Sequence, residues 1–382
     1  CQAQPSHREH FPPVRPISSD VKIQVALLLD CSNSMDGLID QAKSRLWNIV
    51  NTLTTLKYQG KEHFIEISLY QYGNDNLSSE SNWVKQVTPF TTDLDYISEK
   101  LFALQTNGGQ EYCGAVMQHA IKNLKWNSNG KSMKLLYIAG NEPFDQGGIH
   151  YKEVASYAKR NQVHVNTIFC GNYSEGVRTF WQEGAIVGNG KYFNINSNEK
   201  IIHIKTPYDA RIRKENAKLN QTYLGYGRLG RSKKMNQNKQ DMNAESMSSS
   251  IAVERAVTKS KSNAYKNATW DIVDKVAEDE SFIQEAKEEE LPEELKGKSN
   301  SEKILIVKEQ SKKRSKIQKE ISSLAKKRQA EQSDRDIASL QSAASPYDSF
   351  SILGASPTMN SNQSSMYNMG TPQFAMPLMQ QR

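Results

Sequence analysis

The sequence contains no apolar run of the roughly 20 residues that a membrane-spanning helix needs. Hydrophobic residues make up only 37% of its 382 positions, which is low for a chain that is folded throughout. Cysteine is scarce, with four residues, and none stands in the C-x-x-C spacing that indicates a zinc site. We therefore expect one compact region, one polar and loosely folded region, and no zinc centre.

Motifs of common hydrolases and nucleotide-binding enzymes are also missing. The chain has no H-E-x-x-H pair, and Ser32 and Ser34 do not lie in the G-x-S-x-G turn of a serine hydrolase. Gly190-Lys191 is followed by Tyr192, where a phosphate-binding loop would have serine or threonine. These observations predict that the protein is not an enzyme.

The net charge of +7 comes largely from a cluster of lysines and arginines at 311–328. No aromatic residues are interleaved with this cluster, and no nucleic-acid recognition motif accompanies it. A charge run of this kind is typical of a solvated helix face. We therefore expect no nucleic-acid binding.

The chain starts with Cys1 and continues with a polar, proline-containing stretch. This start resembles a bacterial lipoprotein after removal of its signal peptide, which implies acyl chains on Cys1 and a tether over residues 1–19. Buried acyl chains contribute about 0.8 kcal/mol per CH₂ and would hold the protein on a membrane without a spanning helix. Gln2, in place of the aspartate that retains such proteins at the inner membrane of enteric bacteria, favours the outer membrane. The alternative is a chain boundary that happens to fall at a cysteine.

Residues 20–205 alternate between strand-like and helix-like patterns, as parallel α/β folds do. A continuous apolar run at 25–29 predicts a central strand covered on both faces, and near-helical apolar spacing follows at 35–56. Further strands are predicted at 64–70, 83–90, 135–138, 163–169 and 192–195, and further helices at 94–104, 113–124, 151–159 and 177–181. The predicted fold class is α/β, with a doubly wound, mostly parallel central sheet.

The pattern changes beyond the α/β region. Residues 206–250 are rich in Asn, Lys, Gln, Ser and Tyr and predict an extended linker, while 251–335 predict a charged helical extension. An acidic stretch, 278–294, precedes the basic cluster, and the two either pair as a helical hairpin or lie as separate solvated helices. Residues 336–382 lack periodicity and predict a tail that is disordered alone or bound to a partner.

Asp30, Ser32 and Ser34 stand where the first central strand ends and its helix begins. Ligands in open α/β sheets bind outside the carboxyl ends of the strands, at a switch in strand order. One carboxylate and two hydroxyls are hard oxygen donors that suit Mg²⁺, Mn²⁺ or Ca²⁺. Because these residues supply little negative charge, a bound ion can also take a carboxylate from a partner. The alternative role of Asp30 and Ser32 is to order the loop and cap the helix.

The order Asp-x-Ser-x-Ser after a hydrophobic strand resembles the first motif of the metal-ion-dependent adhesion site of von Willebrand factor A domains, over residues 21–200. A Gly-Gly pair at 108–109 and the segment 135–143 follow at the distances of the second and third motifs. Both motifs depart from the family pattern, since Gln110 replaces a threonine and Gly140 replaces an aspartate. The resemblance implies the fold and one divalent-cation site with Asp30, Ser32 and Ser34 as candidate ligands. In place of the two missing family residues, the candidate sources of oxygen are Gln110, Glu111, Asn141 and Glu142. Alternatively, the site is degenerate and binds partners without an ion.

Several segments also resemble a subgroup of bacterial A-domain proteins from the envelope of Bacteroidota-like organisms, up to about residue 328. These segments are 107–114, 138–144, 168–171, 206–209, 222–227, 268–271 and 291–294. Taken alone, the cysteines at 31, 113 and 170 indicate either one disulfide pair or three small buried hydrophobic residues. The resemblance implies that Cys113 and Cys170 form a disulfide, which would fasten the loop of Gln110 and Glu111 beside the ligand face. No activity is attached to this resemblance.

Two functions agree with these features. The first is a lipid-anchored, non-catalytic envelope protein whose A domain recruits a protein partner at the carboxyl edge of its sheet. The second is a structural subunit of an outer-membrane complex, held by its C-terminal helices and tail, with the A domain as scaffold. An enzyme that depends on Ser32 or Glu111 is the reading that the sequence favours least.

Overall fold

The computed structural model describes residues 22–54, 57–58, 61–62, 64–128, 132–195, 205–262 and 264–343. Cys1, on which the prediction of a lipid anchor depends, lies outside the described residues, as do residues 344–382 of the predicted tail. Within the described ranges, no helix has both the length and the apolar character needed to cross a bilayer.

A central six-stranded sheet organises the first half of the chain. The strands of the described residues are β1 (Lys22–Asp30), β2 (Lys57–Tyr58), β3 (Lys61–Glu62), β4 (Phe64–Tyr72), β5 (Val84–Thr91), β6 (Met133–Gly140), β7 (Val163–Cys170) and β8 (Tyr192–Ile195). The central sheet has the order β5-β4-β1-β6-β7-β8, and β2 and β3 form a small separate hairpin. All neighbours in the central sheet are parallel except the antiparallel pair β4–β5.

The apolar run of β1 reflects its position in the middle of this sheet. Val25, Leu27 and Leu29 face one hydrophobic core, whereas Ala26 and Leu28 face the other. Because helices cover both faces, no position in this run has to be polar. The predicted α/β fold class with a mostly parallel sheet is therefore confirmed.

Six helices of the described residues cover the sheet. They are α1 (Ile39–Thr54), α2 (Leu94–Phe102), α3 (Cys113–Asn123), α4 (Tyr151–Arg160), α5 (Tyr173–Arg178) and α6 (Trp181–Val187). The first core contains apolar side chains of α1 and α2, and the second contains those of α3, α4 and α6. These two cores therefore place α1 and α2 on one face of the sheet and α3, α4 and α6 on the other.

The second half of the chain is helical. Its helices are α7 (Pro207–Gln221), α8 (Gly227–Met247), α9 (Ser249–Lys259), α10 (Ile272–Glu278), α11 (Phe282–Glu285) and α12 (Asn300–Ala343). The prediction of an extended linker at 206–250 is wrong, because α7 and α8 fill this range. Gln237 and Gln240 of α8 are completely buried and hydrogen-bonded, to Tyr265 and Ser98 respectively. A helix that buries amides shows no apolar stripe, so the periodicity of the sequence did not reveal it.

These C-terminal helices pack onto the α/β region. Trp47 and Val50 of α1 share the first core with Val253 and Ala256 of α9 and with Ile321 of α12. The C-terminal helices therefore complete the core that the sheet begins.

The acidic stretch does not form a long helix that pairs with the basic cluster at 311–328. It contains the end of α10, the single-turn helix α11 and a 3₁₀ turn at Glu288–Glu290. Glu280 and Glu288 of this stretch pair at 2.6 Å with Lys308 and Lys303 of α12, before the basic cluster. α12 also packs against α7 and α10, and its Arg314 is buried against Asp271 (2.7 Å) and Asp274. The backbone of α12 continues to Ala343, so residues 336–343 are helical and do not belong to a tail.

Candidate functional site

The site lies at the carboxyl edge of the sheet, at the end of β1. The connections from β1 lead to β4 on one side, and the chain later returns to β6 on the other. Such a reversal leaves a crevice between the loops, which is where open α/β sheets bind ligands. Asp30 closes β1, and Asn141 directly follows β6. The topology therefore brings the first and third predicted motifs to one point.

A chain of hydrogen bonds joins the predicted residues. Asp30 is fully buried, and its Oδ1 accepts from the backbone N–H of Ser32 at 2.8 Å. The hydroxyls of Ser32 and Ser34 lie 2.8 Å apart, and the Ser34 hydroxyl donates to Oδ1 of Asn141 at 3.0 Å. Glu111 is buried beside them, and the Ser32 side chain is a hydrogen-bond partner of its carboxylate.

Gln110 is the one candidate ligand that does not join this group. Its side chain is exposed, and its amide oxygen accepts from the Tyr112 hydroxyl at 3.4 Å. The neighbour Glu111 points into the site in its place. Of the two residues that follow the Gly-Gly pair, it is therefore Glu111 that lies beside Asp30.

Negative charge is concentrated in the site and is only partly compensated. Oδ2 of Asp30 is buried and has no hydrogen-bond partner. Burial raises the pKa of Asp30 well above its ordinary value, and the nearby carboxylate of Glu111 raises it further. Burial also raises the pKa of Glu111 to about 7, with further contributions from Glu142 and Asp75. A group of carboxylates held in this way favours a bound cation or a bound proton.

Two glycines leave room for the carboxylates. A Cβ on Gly73, at φ +74°, would lie 2.8 Å from Asp30 Oδ1 and 2.8 Å from Glu111 Cγ. A Cβ on Gly140 would lie 2.5 Å from the Tyr72 hydroxyl and 3.1 Å from Asp30 Oδ2. Tyr72 donates to the carbonyl of Ala139 at 3.0 Å, which holds its hydroxyl over this position. The place that the family fills with aspartate is thus closed by a tyrosine.

Sequence reasoning missed Tyr72, Gly73 and Asp75 as parts of the site, whereas it named Glu142 as a source of substitute oxygen. Tyr72 ends β4 and Gly73 follows it, so both stand at the carboxyl end of a strand beside β1. Their place at the end of a predicted strand could have assigned them to the site, because neighbouring parallel strands end at the same edge of a sheet.

The residues of the site fit a divalent cation. In the described part of the chain, no three His, Cys, Asp or Glu side chains gather as a metal-binding group. The site instead combines carboxylates with hydroxyls and an amide oxygen, which is the hard-oxygen set that Mg²⁺, Mn²⁺ and Ca²⁺ accept. The unpartnered Oδ2 of Asp30 is the specific observation in favour of an ion. Asp30, Ser32, Ser34 and Glu111 are the residues that would hold it.

The expected Cys113–Cys170 disulfide is not present. Cys31, Cys113 and Cys170 are free, buried thiols. Cys113 belongs to the core on one face of the sheet, where its sulfur lies 3.7 Å from the Tyr72 hydroxyl, whereas Cys170 belongs to the core on the opposite face. Cysteines that face opposite sides of a sheet cannot bond without moving the backbone. They act as small hydrophobic residues, the other reading of the sequence.

The chain is similar to several solved structures at low sequence identity. BatB from Bacteroides thetaiotaomicron is 16% identical, with a TM-score of 0.34, over 46% of this chain and 90% of that chain. An aerotolerance-related membrane protein from Bacteroides fragilis is 19% identical, with a TM-score of 0.32, over 46% of this chain and 93% of that chain. A mussel byssus protein, proximal thread matrix protein 1 with a zinc-occupied adhesion-site motif, is 10% identical, with a TM-score of 0.35, over 47% of this chain and 43% of that chain.

No curated protein matches the chain by sequence. The family model of the von Willebrand factor type A domain matches residues 24–204. This range begins within β1 and ends beyond β8, so it contains the central sheet except for the first two residues of β1. The chain therefore contains a von Willebrand factor type A domain at residues 24–204.

Proposed function

We propose that this protein is a non-catalytic binding protein whose A domain recruits a protein partner at the carboxyl edge of its sheet. A divalent cation at the Asp30 site mediates the contact. The observation that carries the proposal is the buried Asp30 carboxylate, whose Oδ2 has no hydrogen-bond partner although it lies beside Glu111. A buried charge without a partner is costly, and a cation removes that cost.

A bound ion would supply an electrophilic position that an oxygen of the partner can occupy. The residues of this chain prepare that position. The backbone N–H of Ser32 fixes the Asp30 carboxylate, and Asn141 accepts from Ser34 and so fixes the direction of its hydroxyl. Tyr72 covers the inner side of the site and excludes water from it.

The hydrogen-bond partners of the two serines support a non-catalytic role. The hydroxyls of Ser32 and Ser34 contact each other, and Ser34 also contacts the amide of Asn141. Neither a hydroxyl nor an amide can accept a proton as a general base does. Glu111, the remaining partner of Ser32, is itself a candidate ion ligand.

The partner belongs, on this proposal, to a complex of the bacterial envelope. The support for this location is the resemblance of several segments, such as 107–114 and 138–144, to bacterial envelope A-domain proteins. The alternative function is a structural subunit of an outer-membrane complex, held by its C-terminal helices and tail. The packing of the C-terminal helices argues against their part in it. Apolar side chains of α9 and α12 are buried against the A domain and are not available to a partner.

Manganese binding tests the ion-centred part of the proposal. Isothermal titration calorimetry with Mn²⁺ should show one site on the full chain. We expect Asp30→Asn to lower the Mn²⁺ affinity by at least about tenfold, because the substitution removes the central charge while keeping the side-chain shape. The control Asp145→Asn changes an exposed aspartate beyond β6 and should leave affinity within about twofold. A wild-type chain that binds no Mn²⁺, or an Asp30→Asn variant that binds it unchanged, contradicts the proposal.

Partner capture tests the recruitment part. The tagged protein is used to isolate partners from detergent-solubilised envelope membranes, with Mn²⁺ or with a chelator. Partners that appear with wild type and Asp145→Asn, but not with Asp30→Asn or the chelator, support recruitment through the ion. Capture that is equal in all four samples contradicts it.

A further inference from the structure

The outer face of α12 carries a row of lysines. The lysine ridge consists of Lys312, Lys316, Lys319, Lys326 and Lys327, all exposed. The first four follow the spacing i, i+4, i+7 and i+14, which places them on one side of a helix, and Lys327 lies beside them. At 1.5 Å per residue the ridge is about 22 Å long.

Among the described residues, the ridge lysines are not paired with acidic side chains, although the exposed Glu309 and Glu320 lie on the same helix. Across the described ranges of the chain, none of its five lysines forms an ion pair, whereas Lys313 on the flank of the helix pairs with Glu309. The two arginines of the same segment are turned inward. Arg314 pairs with Asp271, and Arg328 pairs with Asp209 at 2.9 Å. The helix therefore uses its arginines for internal contacts and presents lysines outward.

An exposed leucine extends the ridge. Leu305 lies seven residues before Lys312, on the same side of α12, and is 69% exposed. Basic side chains in line with an apolar one are typical of helices that lie on anionic lipid, where the apolar residue enters the headgroup region. A nucleic-acid backbone offers no place for such a leucine.

We propose that the lysine ridge of α12 is a docking surface for an anionic lipid membrane. Lysine is a flexible, strongly hydrated point charge, which suits a fluid layer of headgroups better than a fixed pattern of phosphates. A straight row on the outer side of a packed helix can contact a flat surface along its whole length. The proposal does not depend on the ion site, because the ridge contributes no residue to it.

Vesicle sedimentation tests this proposal on the full chain prepared without acyl groups. The wild type should bind vesicles of phosphatidylglycerol and phosphatidylcholine, and should not bind phosphatidylcholine alone. Each lysine near an anionic surface contributes about a fivefold gain in binding, so three substitutions should lower the partition coefficient by at least about tenfold. The ridge variant combines Lys312→Gln, Lys316→Gln and Lys319→Gln.

A second triple variant provides the matched control. It carries the same change in charge on exposed, unpaired lysines of the A domain and combines Lys122→Gln, Lys125→Gln and Lys159→Gln. It should bind within about twofold of the wild type. Leu305→Ser should weaken binding while leaving its salt dependence unchanged, because it removes an apolar contact only.

Several results would overturn the proposal. Equal losses in the two triple variants would show that net charge alone attracts the vesicles. Binding by the ridge variant at the wild-type level would remove the ridge from the contact, and so would a wild type that binds neither vesicle. Tighter binding to a single-stranded oligonucleotide than to the anionic vesicles would assign the ridge to nucleic acid instead.

Discussion

Asp95 and Arg255 form a buried ion pair that joins the A domain to the C-terminal helices. The Arg255 Nη2 lies 2.6 Å from Asp95 Oδ1, and both side chains are almost completely buried. Arg255 also donates through Nε to Asp241 at 2.6 Å, and Asp241 accepts from Lys259 at 2.7 Å. Burial alone would raise the pKa of Asp241, but Lys259 and Arg255 lower it below its ordinary value. The Asp241 carboxylate is therefore ionised around neutral pH.

Replacing Arg255 by methionine should strongly destabilise the protein. Arg255→Met keeps an apolar side chain of similar length but leaves Asp95 buried with no cation, which costs about 3–5 kcal/mol. Urea unfolding monitored by circular dichroism measures the change. Lys313→Met, which breaks an exposed pair with Glu309, is the control and should cost less than about 1 kcal/mol. Similar losses of unfolding free energy in the two variants would show that the buried ion pairs matter no more for stability than an exposed pair.

Gly140→Ala should destabilise the domain because its methyl group meets the Tyr72 hydroxyl. Overpacking of this kind costs about 1–3 kcal/mol. In a Tyr72→Phe background the same change should cost less, since the hydroxyl at 2.5 Å is gone. Gly148→Ala is the control, because nothing lies within 4 Å of its added Cβ. A cost for Gly140→Ala that is the same in both backgrounds would disprove the conflict with Tyr72.

Mn²⁺ affinity should rise as pH rises through about 7. The pKa of Glu111 is raised from 4.5 to about 7, so protons compete with the ion for its carboxylate below that pH. Calorimetry between about pH 6 and about pH 8 should show this increase, and Glu111→Gln should reduce both the affinity and its pH dependence. A pH profile in which Glu111→Gln matches the wild type would exclude Glu111 as a ligand.

The raised pKa of Glu111 also affects the folding stability of the ion-free protein. A carboxyl whose pKa is raised on folding contributes stability below about pH 4.5, and that contribution is lost as pH rises through about 7. Glu254 of α9 is a useful comparison, because burial raises its pKa to about 7 as well. Glu254→Gln should change the dependence of unfolding on pH and leave Mn²⁺ binding unchanged.

An isolated A domain should fail to fold cooperatively. Removing residues 206–382 exposes apolar side chains of α1 that pack on α9, including Trp47 and Val50, and each contributes about 1.5–3 kcal/mol when buried. Thermal unfolding by circular dichroism should then show a broad transition. A chain of residues 1–343 keeps every described contact and is the control. A sharp transition at the wild-type temperature for the shorter chain would refute the expectation.

The sheet was predictable because its signals are local. The apolar run of β1 and the alternation at 64–70 follow from burial on a sheet, and the motif Asp30-x-Ser32-x-Ser34 follows from its position at a strand end. The helices α7 and α8 were not predictable in this way. Their buried faces carry amides and charges whose partners lie more than 100 residues away in the sequence, such as Ser98 for Gln240 of α8 and Arg328 for Asp209 of α7.

The details of the site also depend on contacts between distant segments. From the sequence alone, Gln110 and Glu111 are equally good candidate ligands. Only the path of the loop directs Glu111 inward and Gln110 to solvent. The same limit applies to Cys113 and Cys170. Both lie at the carboxyl edge, but the pleat of β7 sends Cys170 to the opposite face from Cys113.

The loop that carries Glu111 is held at several points before any ligand arrives. It follows α2, whose Asp95 is fixed by Arg255. Within the loop, the carbonyl of Leu104 accepts from Lys43 at 3.1 Å, and the backbone N–H of Asn107 donates to Cys31 at 3.0 Å. A segment fastened in this way has little conformational entropy left to lose. Association at this edge is therefore preorganised, and a larger share of the contact energy appears as affinity.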